Sequence, residues 1–292
     1  MDVALDLGDL ALADRTADSF DDLIANGSGR GGILLSLRKC RHVLRDGGRL
    51  RLTNLHPCAA GAEYLELLDM LLRVAGFTDV TLKNPEKPMV VECSKRTPVV
   101  EDQEFGMTVR EVVDPEELQK SHEFARDYYY YKDFNYDPDV ARQFDLNADI
   151  FAVYNRDQQM IALARVAMRV PGYCCPFMYA VTENGEHYHV APRHHRMGEV
   201  MAIYREGRDG VFAYKRLMEF LVYHIPLISF PDSIWSTYEV NDPYTGNLYK
   251  SKFMMEEMGV RLTYRDFGGR WILLRTDKIK ELHTLHHSLF RG

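Results

Sequence analysis

The stretch from Ser233 to Asp277 constrains this chain most, because it reads as strand, helix, strand and strand with a stop signal at the junctions. Ile234, Ser236 and Tyr238 alternate with Trp235, Thr237 and Glu239, and β-branched and aromatic side chains at period two suit a half-buried strand. Asn241-Asp242-Pro243 ends that strand with capping side chains and a proline placed for a first helical turn. Gly259 follows Met254, Met255 and Met258, where a glycine closing a helix belongs. Two further runs, RLTYRDF and GRWILLRTD, then flank a Gly268-Gly269 turn.

At 292 residues the chain has room for two domains, and its apolar content supplies a core for each. A net charge of -7 argues against general nucleic-acid binding, which needs a basic face to neutralise phosphates. No apolar run approaches the roughly 20 residues of a membrane span. The first residues, MDVALDLGDLALADRTADSFDD, are acidic where a secretory leader is basic and then apolar. Five cysteines (Cys40, Cys58, Cys93, Cys174, Cys175) are odd in number and lack C-x-x-C spacing, so reduced thiols in a cytoplasm are expected. The Cys174-Cys175 pair reads as strand packing.

Apolar periodicity lapses at residues 97–104, and proline with acidic residues marks residues 98–104 as a linker. Residues 1–97 alternate short strands with helices, the grammar of a layered α/β sheet. A helix and strand are expected over GGILLSLRKCRHVLRDGGRLRLTNLHP, a helix ending at Gly76 and a strand over AEYLELLDMLLRVAGFTDVTLKN, and a last strand at PMVVECSKR. Cys40 to Leu50, with Ala75-Gly76-Phe77 downstream, resembles the back half of class I methyltransferases that use S-adenosylmethionine. The resemblance implies a truncated, partly Rossmann-like half. In that family a glycine-rich loop and an acidic residue after the second strand hold the cofactor, and residues 1–97 contain neither. Leu7-Gly8-Asp9 matches only the acidic position near the adenine, and Gly29-x-Gly31-Gly32 is a weak glycine cluster. S-adenosylmethionine binding is therefore not expected, and this half reads as a scaffold or homodimer surface.

From residue 105 to 292 the order of elements, closing with the Ser233–Asp277 motif, resembles the GNAT acyltransferase superfamily. There a strand ends in Asn, a helix follows, and a Gly-apolar pair opens the next strand. The expected elements are a strand at Thr108–Val113, a helix starting at Asp114-Pro115, a hairpin over Asp149–Val166, a central strand at Glu199–Tyr204 and a helix over Val211–Ile225. The resemblance implies an α/β (α+β) mixed sheet whose central strand splays from its neighbour. The freed backbone at Met201, Ala202 and Ile203 would pair with the pantetheine arm of an acyl thioester, as an added strand does. The following loop, Arg208-Asp209-Gly210-Val211-Phe212-Ala213, is similar to the family's R-x-x-G-x-G/A anion loop. Arg208, Gly210 and Ala213 are its donor-binding candidates, while Val211 replaces the middle glycine and Asp209 adds a negative charge.

That departure resembles acyl-homoserine-lactone and N-acyl amino acid synthases, which take acyl groups from acyl carrier protein. Arg126-x-x-x-Tyr130 followed by Asp133-Phe134-Asn135-Tyr136-Asp137, and Arg165 in Ala162–Val166, resemble their substrate-binding runs. Ala202 stands where their second arginine belongs, and no tryptophan precedes Asp133. Amine acylation needs a base and donors for the thioester oxyanion. Glu199 is the candidate base, directly or through water; its competing reading is an exposed strand-end carboxylate. Counting back from Gly259 places Met255 at the family's thiolate-protonating tyrosine, so Tyr249, two turns earlier, is the candidate acid. His187-x-His189 and His194-His195 lack a third ligand at metal spacing, and no metal or permanently bound cofactor is expected. His283, His286 and His287 read as solvated. Arg193, Arg196, Arg205, Arg208, Lys215 and Arg216 form a basic stretch that would steer an acidic carrier protein.

The expected activity is transfer of an acyl group from acyl carrier protein or coenzyme A to a primary amine such as an amino acid. The alternatives are a non-catalytic acyl-thioester-binding or assembly module and a methyltransferase-associated subunit.

Overall fold

A computed structural model describes residues 3–6, 34–35, 37–38, 41, 44, 49–55, 62–84, 89–98, 100–103, 106–134, 136–170, 173–190, 196–228, 231–264, 268–282 and 284. Leu7-Gly8-Asp9, Gly29, Gly31, Gly32, Arg193, His194, His195, His283, His286 and His287 lie outside them. The chain divides into two compact units, Met1–Thr97 with Val170–Tyr173, and Pro98–Arg169 with Cys174–Gly292.

The first unit contains β1 (Val3–Asp6), β2 (Arg49–Leu55), α1 (Ala62–Val74), β3 (Phe77–Asn84) and β4 (Met89–Lys95). Its sheet order is β1-β2-β4-β3, with β1 and β2 parallel and the other pairs antiparallel. Leu68, Leu71 and Leu72 of α1 are buried, as are Leu50, Leu52, Val91 and Cys93 of the sheet. Gly76 closes α1 at φ +93°, a left-handed conformation that a side chain resists. Its α face also abuts the buried Arg41 guanidinium, 2.4 Å from where a Cβ would lie.

The second unit begins with β5 (Val100–Gln103), an edge strand antiparallel to β6 (Met107–Glu111). Part of the expected linker is therefore sheet, because an edge ladder is held by backbone bonds and needs no apolar alternation. Next come α2 (Pro115–Tyr131), α3 (Pro138–Arg142), β7 (Ala148–Tyr154), β8 (Met160–Met168), a 3₁₀ turn at Pro176–Tyr179 and β9 (Val181–Thr182). The series ends with β10 (Met197–Tyr204), α4 (Arg208–Ile228), β11 (Ser233–Glu239), α5 (Pro243–Lys252), β12 (Glu256–Tyr264) and β13 (Gly268–Thr276). The nine strands order as β5-β6-β7-β8-β10-β11-β13-β12-β9. Only β10 and β11 are parallel neighbours, joined by α4 as a parallel pair requires. The fold is thus mixed α/β with one large mixed sheet.

Local chemistry starts the helices. Asp114 accepts from the Glu116 and Glu117 amides at 2.8 and 3.2 Å, with Pro115 opening α2. Asp242 accepts from the Thr245 amide and hydroxyl at 3.1 and 2.8 Å, and Pro243 opens α5. Where α5 ends differs from the sequence reading. It stops at Lys252, Met254 takes a left-handed φ of +52°, and Gly259 lies inside β12 at φ +68°. The β12–β13 register shifts between Glu257 and Arg261, so Gly259 serves a bulge rather than a helix end.

Both faces of the sheet are covered. On one, Ala213, Tyr214, Leu217, Leu221 and Ile225 of α4 pack with Val109, Phe151, Val153 and Val200. The spacing of these α4 residues is that of an amphipathic helix stripe. On the other, Tyr129 of α2 packs with Phe177, Trp235, Leu262, Tyr264 and Trp271. Alternation along β10 sends Val200 to the first layer and Glu199 to the second.

Candidate functional site

The β10–β11 ladder runs only from Met197↔Ser233 to Val200↔Ser236, although β10 continues to Tyr204 and β11 to Glu239. Beyond Val200, β10 stays paired to β8 as far as Tyr204↔Ala162, and β11 to β13 as far as Glu239↔Trp271. Each strand follows its outer neighbour, and the sheet parts between them. This is the splay that the GNAT resemblance implies. The gap opens on a cavity of about 800 Å³ lined by Met201, Ala202, Ile203 and Tyr204 on one side and Thr237, Tyr238 and Glu239 on the other. Tyr128, Tyr129, Phe134 and Trp271 add aromatic wall.

Hydrogen bonds tell which backbone groups face the gap. Val200 O accepts from the Ser236 hydroxyl at 2.7 Å and the Tyr249 hydroxyl at 3.4 Å, and Ala202 N donates to Tyr249 at 3.1 Å. Arg205 N donates the other way, to Ile161 O on β8. Alternation then turns the backbone of Val200, Ala202 and Tyr204 towards the gap and that of Met201 and Ile203 towards β8. Of the three donor-binding candidates on this strand, Ala202 presents backbone to the opening. Met201 and Ile203 also line it, with their backbone turned to β8.

Glu199 is not the exposed carboxylate of the competing reading; it is fully buried. Its Oε2 accepts from the Phe177 amide at 2.8 Å and its Oε1 from the Tyr264 hydroxyl at 3.3 Å. Burial pushes its pKa up to about 8, against the lowering effect of those two donors. The Phe177 ring stacks on Trp235 at 5.1 Å, which forms an apolar wall beside the carboxylate. Tyr249 is also buried, and burial raises its pKa, so its hydroxyl keeps its proton at neutral pH. Counting back to Met255 fails because α5 ends before it, while the buried Tyr249 sets its hydroxyl against Val200 O and Ala202 N, where the β10–β11 ladder ends, behind the cavity lining.

The loop candidates separate. Arg208 and Asp209 are exposed at the start of α4, where Val211 N donates to Gly207 O at 3.1 Å. Gly210 is buried, and a Cβ there would lie 1.7 Å from Arg205 O. Its glycine thus serves close backbone packing. Gly210→Ala is expected to destabilise the fold by about 1–3 kcal/mol, and a urea midpoint equal to the parent's would refute this. Ala213 is fully buried in the core and does not reach the cavity.

The substrate-binding candidates are not brought together. Arg126 is exposed and bonds its neighbour Asp127 at 3.1 Å, and Tyr130 is 81% exposed. Neither lines the cavity; the adjacent faces of α2 contribute Tyr128 and Tyr129 instead. Arg165 is half-buried and pairs with Asp145 at 2.9 Å, and Asp145 also holds the buried His122 at 2.8 Å. That cluster ties α2 to β8 and lies off the cavity lining. His187 contacts Ala180 O at 3.2 Å, and no group of three or more His, Cys, Asp or Glu among the described residues is placed to hold a metal ion.

Sequence reasoning missed Ser236, Thr237 and Tyr264, and it missed the Phe177 amide as a partner of Glu199. Period-two alternation put Thr237 on one face with Trp235 and Glu239. Nothing in the sequence tied Tyr264, 65 residues away, to Glu199.

No family model and no curated protein matches the sequence. Among solved structures, the chain is similar to FeeM, an N-acyl amino acid synthase from uncultured soil microbes, at 12% identity and TM-score 0.44, spanning 66% of this chain and 99% of that one. It is also similar to ribosomal-protein-S5-alanine acetyltransferase from Vibrio fischeri, at 12% identity and TM-score 0.42, spanning 61% and 96%. A third is the spermidine N-acetyltransferase from Vibrio cholerae, at 14% identity and TM-score 0.39, spanning 64% and 98%.

Proposed function

We propose that this protein is an N-acyltransferase that moves an acyl group from a thioester to a primary amine such as an amino acid. The observation that carries the reading is the parting of β10 from β11 beyond Val200, over an aromatic-walled cavity. An extended arm bearing amides can pair with the backbone turned into that gap, which aligns its thioester along β10. Ala202 N supports the carbonyl oxygen once Tyr249 yields its bond, an oxyanion donor fixed by a strand. Glu199 takes the proton of the attacking amine through intervening hydroxyls, and Tyr249, which lies behind the cavity lining at Ala202 N, returns one to the leaving thiolate once the donor arm displaces it from that bond. Bond making and breaking balance: a C–N bond forms, the C–S bond breaks, Glu199 holds the amine proton, the thiolate holds the Tyr249 proton, and exchange with solvent after product release takes the proton off Glu199 and returns one to Tyr249.

The exposed Asp209 in the first turn of α4 favours an acyl carrier protein over coenzyme A as donor, since it puts negative charge where a pyrophosphate would seat. Arg205, Arg208 and Lys215 are exposed nearby in sequence and offer an acidic carrier a landing surface. In the same reading the first unit is a methyltransferase-like scaffold.

Thiol release and intact mass, followed with acyl-coenzyme A and acyl-carrier-protein panels against amino acids and polyamines, test the assignment. Saturable, amine-dependent release supports it; no release from any donor overturns it. Tyr249→Phe is expected to lower kcat by about 10²-fold with KM little changed, and an unchanged kcat removes Tyr249 from the mechanism.

A further inference from the structure

Glu199 is fully buried and is absent from the cavity lining, so it cannot touch an acceptor amine directly. Two groups bond its carboxylate among the described residues, the Phe177 amide and the Tyr264 hydroxyl. An amide does not pass a proton on. Tyr264 does have an onward partner: its hydroxyl lies 3.1 Å from Thr237 Oγ1. Thr237 lines the cavity and is the first β11 residue past the last ladder pair, where the gap begins.

We propose that Thr237 and Tyr264 form a two-hydroxyl proton relay that connects the buried Glu199 to the cavity. The inference rests on the acyl-transfer reading only for the source of the proton. The acceptor nitrogen gives its proton to Thr237 Oγ1, Thr237 gives its own to the Tyr264 hydroxyl, and Tyr264 gives its own to Glu199 Oε1. The amine loses one proton, the carboxylate gains one, and both hydroxyls are restored. Both links are at hydrogen-bond distance, and both hydroxyls can donate and accept at once.

The surroundings suit such a path. The titratable groups that sense the Glu199 charge are Tyr264 on β12, Cys175 before the 3₁₀ turn, and Tyr249 on α5. Burial raises the pKa of each, so none competes for the proton at neutral pH. Thr237 is 8% exposed and Tyr264 4%, and this dry path keeps bulk water from short-circuiting the relay.

The test has a readout besides activity. At pH 6 the protonated Glu199 carboxyl gives a C=O infrared band, and its shift on transfer to deuterated buffer times proton exchange. Thr237→Val is expected to slow that exchange by at least about tenfold, Thr237→Ser to restore it, and Tyr264→Phe to slow it as well. In turnover, Thr237→Val lowers kcat without raising KM, and the double variant with Glu199→Gln is no slower than Glu199→Gln alone. Equal exchange rates in Thr237→Val and the parent overturn the relay whatever the activity. Slowed exchange rescued by serine, in a protein that releases thiol from no donor, keeps the relay and overturns acyl transfer.

Discussion

Glu199→Gln is expected to lower acyl transfer by about 10²–10⁴-fold and, at the same time, to make the fold harder to unfold above pH 8. The two effects have one origin. Fully buried against Phe177 and Trp235, the carboxyl is held neutral up to about pH 8, against an ordinary value of 4.5. For an acid with a raised folded-state pKa, the native state binds the proton more tightly than the unfolded chain. Its stability contribution is intact below pH 4.5 and is lost as pH rises from there to about 8. The shift corresponds to roughly 5 kcal/mol of charging cost at alkaline pH. Glutamine carries no charge and still accepts from Phe177 N or Tyr264, so its stability should be flat across that window. Activity should move oppositely: kcat/KM of the parent rises with pH to a half-maximum near 8, because the base works only when ionised. Urea melts and pH–rate profiles of both proteins check the pair of statements. A parent whose stability does not fall between pH 5 and 9 would show that Glu199 is not buried as described.

Trp235→Ala should carry the largest cost to folding, about 3–5 kcal/mol. Trp235 is 1% exposed, stacks on Phe177, and donates its indole N–H to Ser233 Oγ at 3.0 Å. Removing it opens a void in the layer that holds Glu199, at the strand position paired with it. Water entering that void would solvate the carboxylate and draw its pKa down towards 4.5. The expected record is a lower urea midpoint together with an acid limb shifted to lower pH. A variant within about 1 kcal/mol of the parent, with its limb still near 8, rules out the apolar wall as the cause of the shift.

Much of the fold was legible because its signals are local. Asp114-Pro115 and Asn241-Asp242-Pro243 marked helix starts by cap chemistry, and alternation at Ser233–Glu239 marked a strand. Gly259 was misread because a glycine at positive φ serves a helix end and a bulge equally well, and the sequence does not say which. Val100–Gln103 was misread because an edge strand is defined by its partner's backbone rather than its own side chains.

The site was less legible. Glu199 and Tyr249 stood out by residue type and position, but Arg126 and Tyr130 fell on the exposed side of α2, respectively two residues from Tyr128 and one from Tyr129, the tyrosines that line the cavity. On a helix a single position rotates a side chain by about 100°, so a short motif without a tertiary partner cannot say which face is used.

The sequence by itself determined where elements start, the period of each, and the mixed α/β character, because capping, turn chemistry and apolar spacing act over a few residues. Only the tertiary structure decided that β10 leaves β11 after Val200, that Glu199 is buried, and that Tyr264 and Thr237 stand between it and the cavity. Those depend on contacts across 27 to 65 residues, and such distances are closed by packing of whole layers rather than by any local preference.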